Sequence, residues 1–227
     1  MGGGGAGLGL AQMAPIDVQQ AEVIKGTATA LYGPTALGGV LDLVSRRPTS
    51  KPERMVFANQ STTGGTDVGV WAIRQWNEHW GGSLLGAVHR QERVDQDHDG
   101  WADVPSHRRF ELRPRLFWTG SAGRSLMLTA GTMLEDREGG LAGPLEQRIM
   151  TRHADLGAHA RLPFGDKDVI SVRAAFSGGV KHTRQFDPVL GTPTIRDERA
   201  TGLAEATWLH SDGAFVTLLG AALSMMR

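Results

Sequence analysis

Alternation with a period of two is the clearest signal along this chain. In Arg109 to Trp118 the even positions are Phe110, Leu112, Pro114, Leu116 and Trp118, and the odd ones are Arg109, Glu111, Arg113, Arg115 and Phe117. His153 to Leu162 sets Ala154, Leu156, Ala158, Ala160 and Leu162 against His153, Asp155, Gly157, His159 and Arg161. The same phase runs through Ile170 to Phe176, opposed by Ser171, Arg173 and Ser177, and through Ala200 to Trp208, opposed by Arg199, Thr201, Glu205 and Thr207. Side chains on a strand point alternately to its two faces, so each segment predicts a strand with one apolar and one charged face. Strands near Arg54 to Gln60, Val68 to Trp76, Ser83 to Gln91 and Leu126 to Glu135 follow the pattern less cleanly, and Phe215 to Leu223 is ambiguous. A soluble sandwich also alternates, but it seldom repeats arginine and histidine along the second face of long strands.

Connections alternate in length. Asn77 to Gly82, Gly120 to Gly123, Phe164 to Lys167 and Ser211 to Gly213 are short, whereas Val94 to Pro105, Asp136 to Ile149 and Asp187 to Asp197 are long. Short turns on one rim and long loops on the other are the rule for transmembrane barrels, and the short Ser61 to Thr66 connection is the exception to it. With the first strand rising from the short-turn rim, Trp76, Trp118, Phe164 and Trp208 end the four descending strands on the apolar phase. Placed there, they predict an aromatic girdle. Arg109, Glu111, Arg113, Arg115, His153, Asp155, His159, Arg161 and Arg173 take the opposite phase and are expected to line a lumen.

Composition narrows the picture without changing it. Twenty-four basic and 24 acidic residues cancel, so no global field favours nucleic acid as a partner. No cysteine is present, which removes disulfides, thiolate nucleophiles and cysteine-bound metal. No window approaches the roughly 18 apolar residues a spanning helix needs, so a membrane could be crossed only by strands. The glycine-rich Met1 to Gly9 has neither a basic start nor a long apolar run and reads as no signal peptide. Its Gly2, Gly4 and Gly7 have dinucleotide-site spacing, but no strand precedes them to position a phosphate turn.

Asp17 to Pro48 carries the most specific local signal. A short strand around Glu22, Val23, Ile24 and Lys25 ends at Gly26; a turn carries Leu31, Tyr32 and Gly33; and a second strand follows Gly38, Gly39 and Val40 and stops at Pro48. This stretch resembles the C-terminal part of the plug domain of TonB-dependent outer-membrane receptors, with Ala21, Thr27 and Asp42 as conservative departures from the usual pattern. The resemblance implies an all-β fold: residues 1–50 as the end of a plug, then 51–227 as the first part, about nine strands, of an antiparallel transmembrane β-barrel. Such a barrel closes with about 22 strands, so the chain is expected to be a fragment. The resemblance further implies transport of a scarce ligand such as a ferric siderophore across the outer membrane of a Gram-negative bacterium. Its partners would be outer-membrane lipid, a small-molecule metal chelate and, for the full-length parent, the TonB energy-coupling protein.

Other chemistry is sparse. Asp95, Asp97, Asp99 and Gly100 open like a calcium loop, but position twelve is Ser106 rather than a bidentate glutamate, which leaves a looser cation site or a solvated acidic loop. The resemblance again fits here, since loops of this family often carry an Asp-Gly-Trp sequence like Asp99-Gly100-Trp101. The eight histidines form no H-E-x-x-H pair, and Ser121, Ser125, Ser171 and Ser177 lack a nucleophile elbow, so neither an enzyme nor a cofactor is expected. A small outer-membrane channel or adhesin and a soluble all-β binding module stand as alternatives. The soluble module would require the apolar phases to meet in a core.

Overall fold

The computed structural model describes residues 17–25, 40–141, 145–186, 191, 193–213 and 215–227. The chain divides into two compact units, Met1–Arg47 and Pro48–Arg227. In the first, β1 (Val18–Ile24) pairs antiparallel with β2 (Val40–Ser45), placing Glu22 opposite Asp42 and Ile24 opposite Val40. Of the plug-like motif, Gly26, Leu31, Tyr32, Gly33, Gly38 and Gly39 lie outside the described residues.

The second unit is one nine-stranded antiparallel meander in which every strand pairs with its sequence neighbours. Its strands are β3 (Glu53–Gln60), β4 (Gly65–Gln75), β5 (Trp80–Gln91), β6 (Ser106–Thr119) and β7 (Ser125–Leu141), followed by β8 (Leu145–Phe164), β9 (Asp168–Gln185), β10 (Thr194–Ser211) and β11 (Val216–Met226). The sheet does not close on itself, and β3 and β11 are its edges.

The ladder runs in one register across the sheet, so residues align in rows that share a face. One row reads Val88, Phe110, Leu134 and the next Ala87, Glu111, Met133. Even-numbered positions therefore share one face and odd-numbered positions the other, from β3 through β10.

Three expectations about connections are corrected. Asp136 to Ile149 is not a long loop, because β7 runs to Leu141 and β8 starts at Leu145. Cross-strand pairs of opposite charge such as Glu138 with Arg148 favour continuing the ladder there. Thr194–Asp197 likewise belongs to β10, opposite 181–184 of β9. The Asn77 to Gly82 connection is shorter than expected: the Asn77 side-chain oxygen accepts the backbone N–H of His79 (2.9 Å) and Trp80 (2.8 Å), closing the turn so that Trp80 already belongs to β5. Tight reversals at this rim need left-handed backbone, as at Gly165 between β8 and β9, where φ is +64°.

Candidate functional site

The odd-numbered face is a polar wall whose charges are matched across strands. One row runs Asp67, His89, Arg109, Glu135, Thr151, Lys181, Asp197. Along it His89 Nδ1 lies 2.9 Å from Asp67, and Arg109 donates from Nε (2.8 Å) and a second guanidinium nitrogen to Glu135. The Arg109 side chain is 2% exposed and that of Glu135 10%, and Glu111, 3.8 Å from Arg109, and Arg137, 3.6 Å from Glu135, extend this desolvated pair into a network. Lower on the same face Arg113 reaches Asp155 at 3.5 Å, across the intervening β7. Gly131 lies beneath that contact. A Cβ there would sit 2.4 Å from an Asp155 carboxylate oxygen, so the missing side chain is what lets the pair form.

Of the residues expected to line a lumen, Arg109, Glu111, Arg113, Arg115, His153, Asp155, His159, Arg161 and Arg173 all occupy this face. His153 lies 4.0 Å from Asp155, and Arg161 donates to the Gly123 carbonyl at 3.3 Å. The face is not uniformly polar. Trp71, Ile73, Leu85, Ala87 and Phe117 share it near one edge of the sheet and are its most buried apolar side chains.

The even-numbered face is apolar through its middle rows and exposed: Leu156 is 61% accessible and Phe176 50%. An open groove of about 930 Å³ crosses it, floored by Ala72, Pro114, Ala130, Ala158 and Ala174. A sheet that bares its aliphatic face while its most buried side chains, Arg109 among them, lie on the charged one inverts the arrangement of a water-soluble fold. Trp76, Trp118, Phe164 and Trp208 sit on this face at its short-turn end. Trp80 joins them, directly opposite Trp118, and was hidden in the sequence because it follows an apparent loop. The Trp208 indole N–H donates to Asp168 at 2.8 Å, which leaves the ring body on the apolar face and its polar edge at the rim. Beyond that rim, the bond from His210 to Asp168, with the Trp208 bond adding to it, holds the Asp168 carboxyl below its usual range.

No family model matches the chain. Its sequence is 30% identical, over 139 residues, to the ferrioxamine receptor of Yersinia enterocolitica; the match spans 60% of this chain and 18% of that relative. The fold superposes on the siderophore receptor PiuA of Acinetobacter baumannii with a TM-score of 0.69 at 14% identity, covering 92% of this chain and 35% of that one. The ferric enterobactin receptor PfeA of Pseudomonas aeruginosa gives 0.67 at 15% identity, covering 92% and 36%.

The chain has the fold of these siderophore receptors and is similar in sequence, over 139 residues, to one of them. It spans about a fifth of the length of the curated relative it matches.

The loop between β5 and β6 holds Asp95, Asp97 and Asp99 with ligand-capable oxygens within 4.8 Å of one another. Each carboxylate also caps a backbone N–H: Asp95 accepts from Gly100 (2.9 Å), Asp97 from Asp99 (3.3 Å) and Asp99 from Trp101 (2.7 Å). Arg93 ties the same loop to the carbonyls of Gly100 (2.7 Å) and Gly140 (3.0 Å). All three carboxylates therefore take part in the turn, while Asp95 Oδ1 is buried without a hydrogen-bond partner. In the first unit, Glu22, Val23, Ile24 and Lys25 lie on or just after β1, and Val40 opens β2.

Proposed function

We propose that residues 1–50 form the C-terminal part of a plug and residues 51–227 the first strands of the barrel wall in a TonB-dependent transporter of the Gram-negative outer membrane. It imports a scarce metal chelate, a ferric siderophore in the simplest case. The observation that carries this reading is the 30% identity, over 139 residues, to a receptor for ferrioxamine. The two-faced sheet supports it, since an exposed aliphatic face suits lipid and a charge-matched face suits a water-filled lumen.

In this account the even-numbered face meets outer-membrane lipid, and Trp76, Trp80, Trp118, Phe164 and Trp208 mark the periplasmic interface. Arg109, Arg113, Arg115, His153, His159 and Arg173 line the path on the other side. They line it with guanidinium and imidazole groups, of which Arg109 and Arg113 are held in place by acidic partners on neighbouring strands. The chelate is the cargo, no resident cofactor is required, and energy comes through the TonB protein. The test is uptake of iron supplied as ferrioxamine by a strain deleted for the natural gene, with and without the gene restored. Restoration that also depends on TonB supports the proposal. Iron uptake from ferrioxamine and from a panel of other ferric siderophores, unaltered by the deletion, would overturn it.

A further inference from the structure

Near the short-turn rim the apolar face carries two charges and no more. In the row of Trp76, Trp80 and Trp118 and the two rows above it, Arg54 and Arg74 are the only charged residues of the described strands on that face. Arg54 lies directly opposite Ala72, and Arg74 follows two residues later on β4. The two are therefore diagonal neighbours, about 7–8 Å apart at the backbone. Both are exposed and make neither a hydrogen bond nor a salt bridge with any described residue. The Trp76 ring lies over Gly82, directly opposite Arg74, where a Cβ would sit 2.7 Å from it.

Depth makes these two arginines unusual. Arg74 precedes Trp76 by two residues, and Ala72, level with Arg54, precedes it by four. At about 3.4 Å per residue and a tilt near 45°, they stand roughly 5 and 10 Å to the hydrocarbon side of the tryptophans. A cation without a partner is costly there. Arg74 reaches the headgroups by extending its side chain, whereas Arg54 starts deeper and is best served by an anion that comes to meet it.

The apolar groove begins at the same place. Arg74 and Trp76 line one end of its roughly 930 Å³, and Ala174 and Phe176 line the other. Ala72, Pro114, Ala130 and Ala158 floor it between them. From β4 to β9 are five strand spacings of about 4.8 Å, or roughly 24 Å. One leaflet's hydrocarbon is about 15 Å deep, half the thickness of the core, so the groove is long enough to hold an acyl chain lengthwise.

We propose that Arg54, Arg74 and this groove form a binding site for an anionic glycerophospholipid of the leaflet on the short-turn side. Its phosphate bridges the two guanidinium groups, which bind such oxygens through paired N–H donors, and one acyl chain lies along the alanine floor. Head and tail are matched at once, because the charged pair stands at the mouth of the groove. The site rests on the membrane-embedded barrel proposed above.

The experiment uses the protein made from its natural gene and purified from its own outer membrane. Native mass spectrometry compares binding of phosphatidylglycerol and phosphatidylcholine with equal acyl chains, added together. The native protein should prefer phosphatidylglycerol. The double variant R54Q/R74Q is expected to lose about twenty-fivefold in affinity for it, each interfacial charge contributing about fivefold, while R54K/R74K should keep most of the preference. Filling the groove with A130L/A158L should weaken both lipids alike. Heat-modifiable gel mobility reports that each variant is folded. Equal binding of the two lipids, no loss in the folded glutamine variant, or full binding with the groove filled would overturn the proposal. A protein dimer that carries no lipid would assign the face to a second copy instead and would also overturn it. Failure of the native protein to fractionate as a heat-modifiable outer-membrane barrel would sink the reading beneath it.

Discussion

Replacing Gly131 with alanine tests the tie between local geometry and the charged wall. A Cβ at this position would lie 2.4 to 2.8 Å from the Asp155 carboxylate atoms, so Asp155 must turn away and release Arg113. The two side chains of that pair are 34% and 23% exposed, which limits its worth to about 0.5–1 kcal/mol. Forcing Asp155 off its rotamer adds about 1 kcal/mol. Against this, exchanging glycine for alanine in a strand gains about 0.5–1 kcal/mol. Gly131→Ala should therefore destabilise by about 1 kcal/mol in the native background and stabilise by about 0.5–1 kcal/mol when Asp155 is already alanine. The assay is urea unfolding of the four proteins of this double-mutant cycle in lipid vesicles, with an expected coupling of about 1.5–2 kcal/mol. The same cost in both backgrounds would refute the claim that Gly131 makes room for the ion pair.

Arg109→Met should destabilise by about 2 kcal/mol, since it removes the hydrogen-bonded partner of a Glu135 that is only 10% exposed and leaves it only Arg137 at 3.6 Å, and adding Glu135→Leu should recover part of the loss in the same unfolding assay. Acidity should act on the far end of the β7–β8 hairpin through Glu138, whose pKa is raised above 4.5 by its bond to Glu146. A raised carboxyl pKa means the folded state holds the proton more tightly. Its stabilising contribution is thus complete below the unfolded value and is lost as pH rises through the folded one. Amide exchange over 136–150, corrected for intrinsic rates, should show protection falling through that window, and Glu138→Gln should remove the trend. Nearby Asp136, whose pKa is lowered by its bond to Arg148, contributes with the opposite slope and remains in the variant as an internal control. At the other rim, Trp80→Ala and Trp118→Ala should each lower stability in vesicles and reduce quenching of tryptophan fluorescence by lipids brominated near the headgroup; unchanged quenching would count against a girdle there.

The sheet was legible where charge and aliphatic residues share a strand, as in β6 and β8, because strict alternation allows only one assignment of faces. It blurred in β4 and β5, where Trp71, Ile73 and Leu85 put apolar bulk on the polar phase and erase the contrast on which the pattern depends. The start of β5 was hidden for a different reason: a single side chain, Asn77, closes the turn, and no periodicity records that. The upward extension of β7 and β8 read as loop because its charged residues lie on both faces, although they pair across the ladder. Among candidate site residues, the wall positions followed from phase alone. The contact of Arg113 with Asp155 across Gly131 emerges only once the register of each strand against its neighbours is known.

The central claim is that the even-numbered face meets lipid and the odd-numbered face meets water. Because this chain contains no cysteine, single cysteines can be placed in neighbouring pairs such as Leu112 and Arg113 or Leu128 and Thr129, and spin-labelled in the receptor reconstituted into vesicles. The account predicts that labels at 112 and 128 are relaxed by oxygen dissolved in lipid and shielded from a water-soluble nickel chelate, with the reverse at 113 and 129. Labels at 112 and 128 that are inaccessible to both reagents would place the apolar face in a protein core and contradict the barrel.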